Sequence, residues 1–255
     1  MDTVEPAVQT CEQPADTIAD DVESIRKMLM SRPNWAPAHF ALAQTFERRG
    51  DSSEAIESYR RTIEIKPHCV EAHERLAALL TRLGRFAEAR RHYEQVVALA
   101  PARHDVHNNL GAVLQELGET EAAKASYKRA LELAPDCLEA HVNLAAAQTK
   151  LRQFDAAAAN LERASEIHPD SAEVHNRLAQ ALLPLGRLDD AKRHCAAAIC
   201  LRPDNALWRL RLDLLGPTVF ASNREIDDYQ ASLAAPTRRN RQSPGTNMPS
   251  QASSI

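Results

Sequence analysis

The stretch HDVHNNLGAVLQELGETEAAKASYKRALELAPDC, residues 104–137, decides the fold of this 255-residue chain. In its first half, residues that can form the buried stripe of a helix recur at steps of one to four residues: His107, Leu110, Gly111 and Leu114. A second stripe with the same spacing runs from Ala123 to Leu131. Because this spacing places side chains on one face of an amphipathic helix, the stretch predicts two consecutive helices.

The boundaries of these two helices are marked by residues that start or stop helices. Gly118 lies where the first helix must end, and glycine tolerates the left-handed conformation common at such ends. Pro135 closes the second helix because its ring lacks an N–H group and clashes with the preceding turn. Asp136 with Glu139, and one unit later Asp170 with Glu173, have the spacing of a helix-capping box.

This unit is repeated along the chain at a step of 34 residues. The repeated prolines are Pro33, Pro67, Pro101, Pro135, Pro169 and Pro203. The repeated alanines are Ala55, Ala89, Ala123, Ala157 and Ala191. The repeated leucines are Leu42, Leu76, Leu110, Leu144, Leu178 and Leu212. The repeated glycines are Gly50, Gly84, Gly118 and Gly186, with Arg152 as the exception. Several columns in one register predict an array of helix–turn–helix units.

These columns resemble the tetratricopeptide repeat family, in which Leu followed by Gly or Ala, an aromatic residue, a small Ala and a closing Pro recur. Five full units are predicted: 36–69, 70–103, 104–137, 138–171 and 172–205. The resemblance implies an all-α fold, a right-handed superhelical solenoid of helix pairs with a concave groove. Within the units, the aromatic becomes Leu161 and then Cys195, and Pro184 is expected to distort the last turn of its helix.

The ends of the array need covering helices, because a stacked array otherwise exposes an apolar face at each end. We predict an N-terminal capping half-repeat over 21–33, an array over 34–216 that ends in a capping helix at 206–215, and a further helix within 217–234. Residues 1–20 are acidic and residues 235–255 are rich in Arg, Ser and Pro, and both lack apolar periodicity. Composition of this kind predicts disorder.

The segment 207–233, LWRLRLDLLGPTVFASNREIDDYQASL, resembles the linker that joins the repeats to the catalytic domain in bacterial relatives of O-linked N-acetylglucosamine transferases. This resemblance implies an alternative function. The chain would then be a truncated or stand-alone substrate-recognition arm that acts with a separate glycosyltransferase catalytic chain.

Histidines form their own column at the 34-residue step: His39, His73, His107, His141 and His175. Zinc requires imidazole nitrogens about 2.0–2.1 Å from one ion, whereas equivalent positions in adjacent units are about 10 Å apart. The sequence therefore predicts no metal site. Each imidazole is expected to be half-buried between helices where the family often has an aromatic residue.

Candidate peptide-binding residues precede the repeated leucines on the first helices. Asn109 and Asn143 are expected to face the groove, and in the transferase arm asparagines of this column grip the backbone of a client peptide. An amide suits this role because it both donates and accepts hydrogen bonds. The same column contains Ala41, Arg75 and Arg177. One residue earlier lie Phe40, Glu74, Asn108, Val142 and Asn176, without the Lys or Arg of a chaperone-tail clamp. The groove candidates are thus Asn108, Asn109, Asn143, Asn176, Arg75 and Arg177.

Charge and motifs exclude several classes of function. The acids of 1–24 and arginines of 235–255 leave a neutral interior, which predicts no nucleic-acid or membrane partner. No nucleophile elbow, phosphate-binding loop or HExxH motif is present, so we expect neither an enzyme nor a cofactor. The first residues lack a signal-peptide pattern, which predicts a cytoplasmic chain. The predicted function is a scaffold that binds a protein or peptide client in the groove.

Overall fold

The computed structural model describes residues 22–215, and this part of the chain is all α-helical apart from turns. Its helices are α1 (Val22–Ser31), α2 (Ala36–Arg49), α3 (Ser52–Ile65), α4 (Val70–Arg82), α5 (Phe86–Leu99), α6 (His104–Glu116), α7 (Thr120–Leu133), α8 (Leu138–Lys150), α9 (Phe154–Ile167), α10 (Ala172–Leu182), α11 (Leu188–Leu201) and α12 (Ala206–Leu214). A short 3₁₀ turn spans Leu183–Leu185. The segments predicted at 1–20, 217–234 and 235–255 lie outside the described residues.

The helices pack in chain order as a right-handed superhelical solenoid, with α1 and α12 at its two ends. The even-numbered helices α2 to α12 begin at the 34-residue step, and so do the odd-numbered helices α3 to α11. We call them first helices and second helices. Each first helix packs on the second helix that follows it and on the one that precedes it. This confirms the predicted fold class.

Within the third unit, the small residue of the first helix, Gly111, lies against the aromatic residue of the second, Tyr127. Ala123 and Tyr127 of α7 are almost fully buried against α6. A Cβ atom added to Gly111 would lie 2.6 Å from Cε1 of Tyr127. No methyl group fits beside this ring as it stands, so glycine allows α6 and α7 to approach here.

The turn between the two helices of a unit uses the left-handed conformation, as predicted. The four glycines of this column have φ between 71° and 85°. Arg152 occupies the same place in the fourth unit with φ 58° and adopts the conformation that disfavours a side chain. Its guanidinium carbon lies 5.8 Å from the centre of the Phe154 ring.

The predicted capping boxes are wrong in detail. Helix α8 starts after Cys137, with no side-chain capping hydrogen bond, and Asp136 is one residue too early because the turn after Pro135 includes it. At α10 the cap is Ser171, whose hydroxyl accepts a hydrogen bond from the Val174 N–H group. Here too the aspartate belongs to the turn and not to the helix start.

The fifth unit differs from the others at the end of its first helix. Helix α10 stops at Leu182, and Pro184 lies inside the 3₁₀ turn that follows, as its missing N–H group requires. The residues that replace the aromatic column, Leu161 and Cys195, remain buried. The C-terminal units therefore keep the pattern of burial with smaller side chains.

Candidate functional site

The histidine column joins each unit to the one before it. In five units the Nε2 atom lies 2.8–3.0 Å from the carbonyl oxygen of the proline six residues earlier. Because an imidazole N–H donates to a carbonyl, this contact fixes Nε2 as the protonated nitrogen. In α12 Arg209 occupies the same column and donates to the Pro203 carbonyl at 2.9 Å. The column therefore has a structural role. His39 and His175 are half-buried as predicted, whereas His73, His107 and His141 are buried more deeply than predicted.

Two of these histidines also contact a second histidine. The Nδ1 atoms of His73 and His92 are 3.0 Å apart, and so are those of His175 and His194. Since Nε2 of His73 carries the proton, its Nδ1 accepts and His92 donates. Burial lowers the pKa of His73 and lowers the pKa of His92 to about 4, with His73 as a further cause for His92. The lowered pKa values of His73, His92 and His194 favour the neutral imidazole at these three positions.

Metal binding by the column has no support in the structure. No group of three or more His, Cys, Asp or Glu residues within 22–215 is arranged to hold a metal ion. Each imidazole already uses Nε2 on a carbonyl oxygen, which leaves at most one ring nitrogen for any other role.

On the inner face, which the first helices form, the structure brings two predicted asparagines together. Asn143 of α8 donates from Nδ2 to Oδ1 of Asn108 on α6 at 3.0 Å. Asn109 is half-buried beside them, and its side chain makes no hydrogen bond within the described residues. These three amides therefore form one polar patch across two units, and Asn109 keeps its whole hydrogen-bonding capacity.

The other predicted amide is not available on the surface. Asn176 is buried and accepts a hydrogen bond from Nη1 of Arg211 at 2.6 Å. Arg211 stands one column step beyond Arg177, and the pair repeats the geometry of Asn143 on Asn108. Asn176 thus holds α12 onto α10 and is a structural contact.

An arginine near the start of α6 is shared by two acids. Arg103, in the turn before α6, donates to both carboxylate oxygens of Glu74 at 2.6 and 2.8 Å and also contacts Asp105. These hydrogen bonds raise the pKa of the Arg103 guanidinium above its ordinary value. The three side chains together carry a net charge of 1 − 2 = −1, so the array at this level is slightly acidic.

A cleft of about 380 Å³ lies between the first helices α2 and α4, and we call it the N-terminal cleft. Its lining side chains are Gln44, Glu47, Arg48, Arg75 and Arg82. Arg82 forms a salt bridge with Glu47 at 2.6 Å, and the Tyr59 hydroxyl donates to the same carboxylate at 2.8 Å. Burial and this bond raise the pKa of Tyr59. Arg75 is exposed and has no salt bridge within the described residues.

A cleft of about 260 Å³ lies between α8 and α10, at the same columns three units later, and we call it the C-terminal cleft. Its lining side chains are Ala145, Ala146, Thr149, Lys150, Leu161, Arg177 and Gln180. Arg177 forms a salt bridge with Glu173 at 2.6 Å. Lys150 is exposed, without a salt bridge in the part of the chain that the structure describes.

The lysine and arginines at the ends of the first helices were not among the groove residues predicted from the sequence. Arg48, Arg82 and Lys150 share one column, with Glu116 between them. The signal for this column is present in the sequence, because its charged residues recur at the 34-residue step. The way in which it combines with the Arg75 column to line a cleft depends on how two units pack.

Comparison with protein families gave tetratricopeptide repeat models at residues 38–69, 69–136, 114–180 and 149–214. No curated protein sequence matches the chain. No helix within residues 22–215 has both the length and the apolar character needed to cross a membrane. The segment that resembles a transferase linker gains no support, since the matches end at 214 and its residues 216–233 lie outside the described part.

Several solved structures share the fold at low identity. YrrB, described as a tetratricopeptide repeat protein with an unusual peptide-binding site, is 18% identical with a TM-score of 0.65, over 75% of this chain and 98% of its own. PilF of Pseudomonas aeruginosa is 21% identical with a TM-score of 0.61, over 75% and 87%. MamA of Desulfovibrio magneticus RS-1 is 18% identical with a TM-score of 0.60, over 74% and 99%. With repeat models across 38–214 and this geometry, the chain belongs to the tetratricopeptide repeat family.

Proposed function

We propose that this chain is a non-catalytic scaffold that binds an extended peptide or a partner helix on the inner face of its array. The observation that carries the proposal is the pair of open clefts between successive first helices, with polar and charged side chains at the 34-residue step. Recognition of this kind needs preformed shape and complementary polar groups, and no bond has to be made or broken.

The asparagine patch provides contacts for a peptide backbone. Asn109 can donate from its amide nitrogen and accept at its oxygen, and Asn143 retains one N–H donor and its carbonyl after bonding to Asn108. A backbone amide offers the matching donor and acceptor regardless of client sequence. The amides thus support binding of an extended chain without strict sequence preference at this point.

The comparisons support this proposal at the level of the family. YrrB, whose description names a peptide-binding site, has the same fold as this chain. A protein or peptide client is therefore the kind of partner that we propose. No described residue favours the second role, a recognition arm paired with a glycosyltransferase chain.

The test is affinity capture with the full chain as bait, compared with a variant in which Asn109→Ala and Asn143→Ala are combined. The matched control is Gln95→Ala, which removes an exposed amide from the second helix α5. We expect the double variant to lose the proteins that the wild type and the control both capture. Circular dichroism should show equal helix content in all three chains.

Equal capture by wild type and the double variant would place the binding surface away from the amide patch and overturn the proposal. Capture of no protein by any of the three chains would also count against a scaffold function. Amide hydrogen exchange can locate the binding surface on the wild-type chain. We expect binding of the client to slow exchange of amide protons in α4, α6 and α8.

A further inference from the structure

We propose that the N-terminal and C-terminal clefts bind two acidic side chains of one extended client. This inference rests on the proposed function, and it adds the chemistry and spacing of the ligand. It is carried by two cationic clefts that occupy equivalent columns three units apart, one between α2 and α4 and the other between α8 and α10.

The charge balance of each cleft favours an anion. The N-terminal cleft is lined by three arginines and one glutamate. Glu47 accepts from Arg82 and from the Tyr59 hydroxyl, so this acid and Arg82 offset each other, and the lining keeps a net charge of 3 − 1 = +2. Arg75 projects from the middle of α4, and an exposed guanidinium without a salt bridge within 22–215 can form a bidentate contact with a carboxylate.

The C-terminal cleft repeats this arrangement with different residues. Lys150 and Arg177 line it, and the lining contains no acid. Glu173 beside the cleft is paired with Arg177, so with this pair counted as neutral the cleft keeps +1 from Lys150. The bond uses Nε, and neither Nη group of Arg177 has a hydrogen bond within residues 22–215, so both can donate to a second acceptor. Gln180 adds an amide at the rim of the cleft, and Leu161 and the alanines form an apolar floor. A carboxylate on a short aliphatic stem matches this lining.

Part of this charge also complements the helix dipole, because Arg82 and Lys150 lie in the last turns of α4 and α8. That role does not account for Arg75 and Arg177, which lie in mid-helix positions where the dipole has little effect. Each cleft thus contains one mid-helix arginine, Arg75 or Arg177. The positive charge of this arginine is not explained by stabilisation of a helix end, and it supports a role in binding.

The middle of the groove has a different character. Glu116 occupies the column of Arg82 and Lys150, is exposed, and forms no salt bridge within the described residues. Near it lie the uncharged Asn109 and Asn143. The client segment between the two acids is therefore expected to be neutral or basic, since an acid there would face Glu116.

The spacing of the two acids follows from the spacing of the units. Successive first helices are separated by about 8–10 Å, so three steps span about 24–30 Å. An extended chain advances about 3.3 Å per residue. The two acids of the client should therefore be about seven to nine residues apart.

The test uses synthetic peptides of about 16 residues with acetylated and amidated ends, so that no terminal carboxylate contributes. Each contains two glutamates in a Ser/Thr/Val background, with separations from two to twelve residues, and a glutamine-for-glutamate peptide serves as the neutral reference. Binding to the full chain is measured by fluorescence anisotropy. We expect affinity to peak at a separation of about seven to nine residues and to fall as salt is raised.

Charge reversal identifies the clefts. Arg75→Glu and Lys150→Glu are each expected to weaken the best peptide on the order of tenfold, a single charge contact in partly exposed surroundings. Replacing the facing glutamate by lysine should restore binding to the matching variant and not to the other. The control is Lys128→Glu, the same charge change in a separate cleft on the second helix α7 beside Pro135.

Three results would overturn the inference while leaving the proposed function in place. They are equal binding of the neutral peptide, equal binding at every separation, and an effect of Lys128→Glu as large as that of Arg75→Glu. Failure of every peptide to bind while affinity capture succeeds would overturn the inference as well. Failure of both assays would remove the proposed function with it.

Discussion

Acid should destabilise this protein through its buried histidine pairs, and His92→Ser tests this. His92 of α5 is partly buried against His73, and burial together with the neighbouring imidazole lowers its pKa to about 4. Arg60 and Arg91 add positive charge around it, and Glu88 opposes them. Serine is the natural replacement, because Ser58 and Ser126 occupy the same column in the adjacent units.

The sign and size follow from linkage. A histidine whose pKa is lower in the folded than in the unfolded chain makes its full contribution to the stability of the folded state above the unfolded pKa of about 6.5. This contribution is lost as the pH falls toward the folded pKa of about 4. With a folded pKa of about 4, the loss between neutral pH and pH 5 would be about 2 kcal/mol of unfolding free energy for a fully shielded imidazole, and solvent at the partly exposed His92 ring reduces it to about 1 kcal/mol. The lowered pKa values of His73 and His194 act in the same direction.

The assay is urea unfolding, followed by circular dichroism, at a series of pH values from about 7.5 to 5. We expect the unfolding free energy of His92→Ser to depend less on pH than that of the wild type, by about 1 kcal/mol over this range. The control is His104→Ser, which removes an exposed imidazole at the start of α6. An NMR titration that puts the pKa of His92 above 6, or equal pH dependence in His92→Ser and wild type, would refute the reasoning.

Three further substitutions test the packing and the turns. Ala123→Leu should lower the unfolding free energy by about 1–3 kcal/mol through overpacking, whereas the same change at the exposed neighbour Ala122 should not, as urea midpoints would show. Gly111→Ala should destabilise the wild type, because its Cβ would meet the Tyr127 ring, but should stabilise a Tyr127→Leu background by about 1 kcal/mol, the usual helix preference for alanine. Arg152→Gly should raise the melting temperature, since relief of the left-handed conformation, on the order of 1 kcal/mol, exceeds the lost contact with Phe154.

The candidate site was predictable in part. Asn109 and Asn143 could be assigned to the inner face because the column before the repeated leucines must project from the first helices. Asn176, from the neighbouring column, was a wrong choice for a surface contact, because Arg211 of α12 covers it. That contact joins residues 35 positions apart in different units, and no local pattern reports it.

Local patterns of residues were enough to predict the helix pairs, their 34-residue register, the left-handed turns and the disturbance at Pro184, because propensity, periodicity and Gly or Pro geometry act within a few residues. Packing between units controls which polar groups have partners, as Asn108 and His73 do, and which have no salt bridge within residues 22–215, as is the case for Arg75 and Lys150. A hydrogen bond or salt bridge between units depends on distances of a few tenths of an ångström, which helix packing sets and local sequence does not.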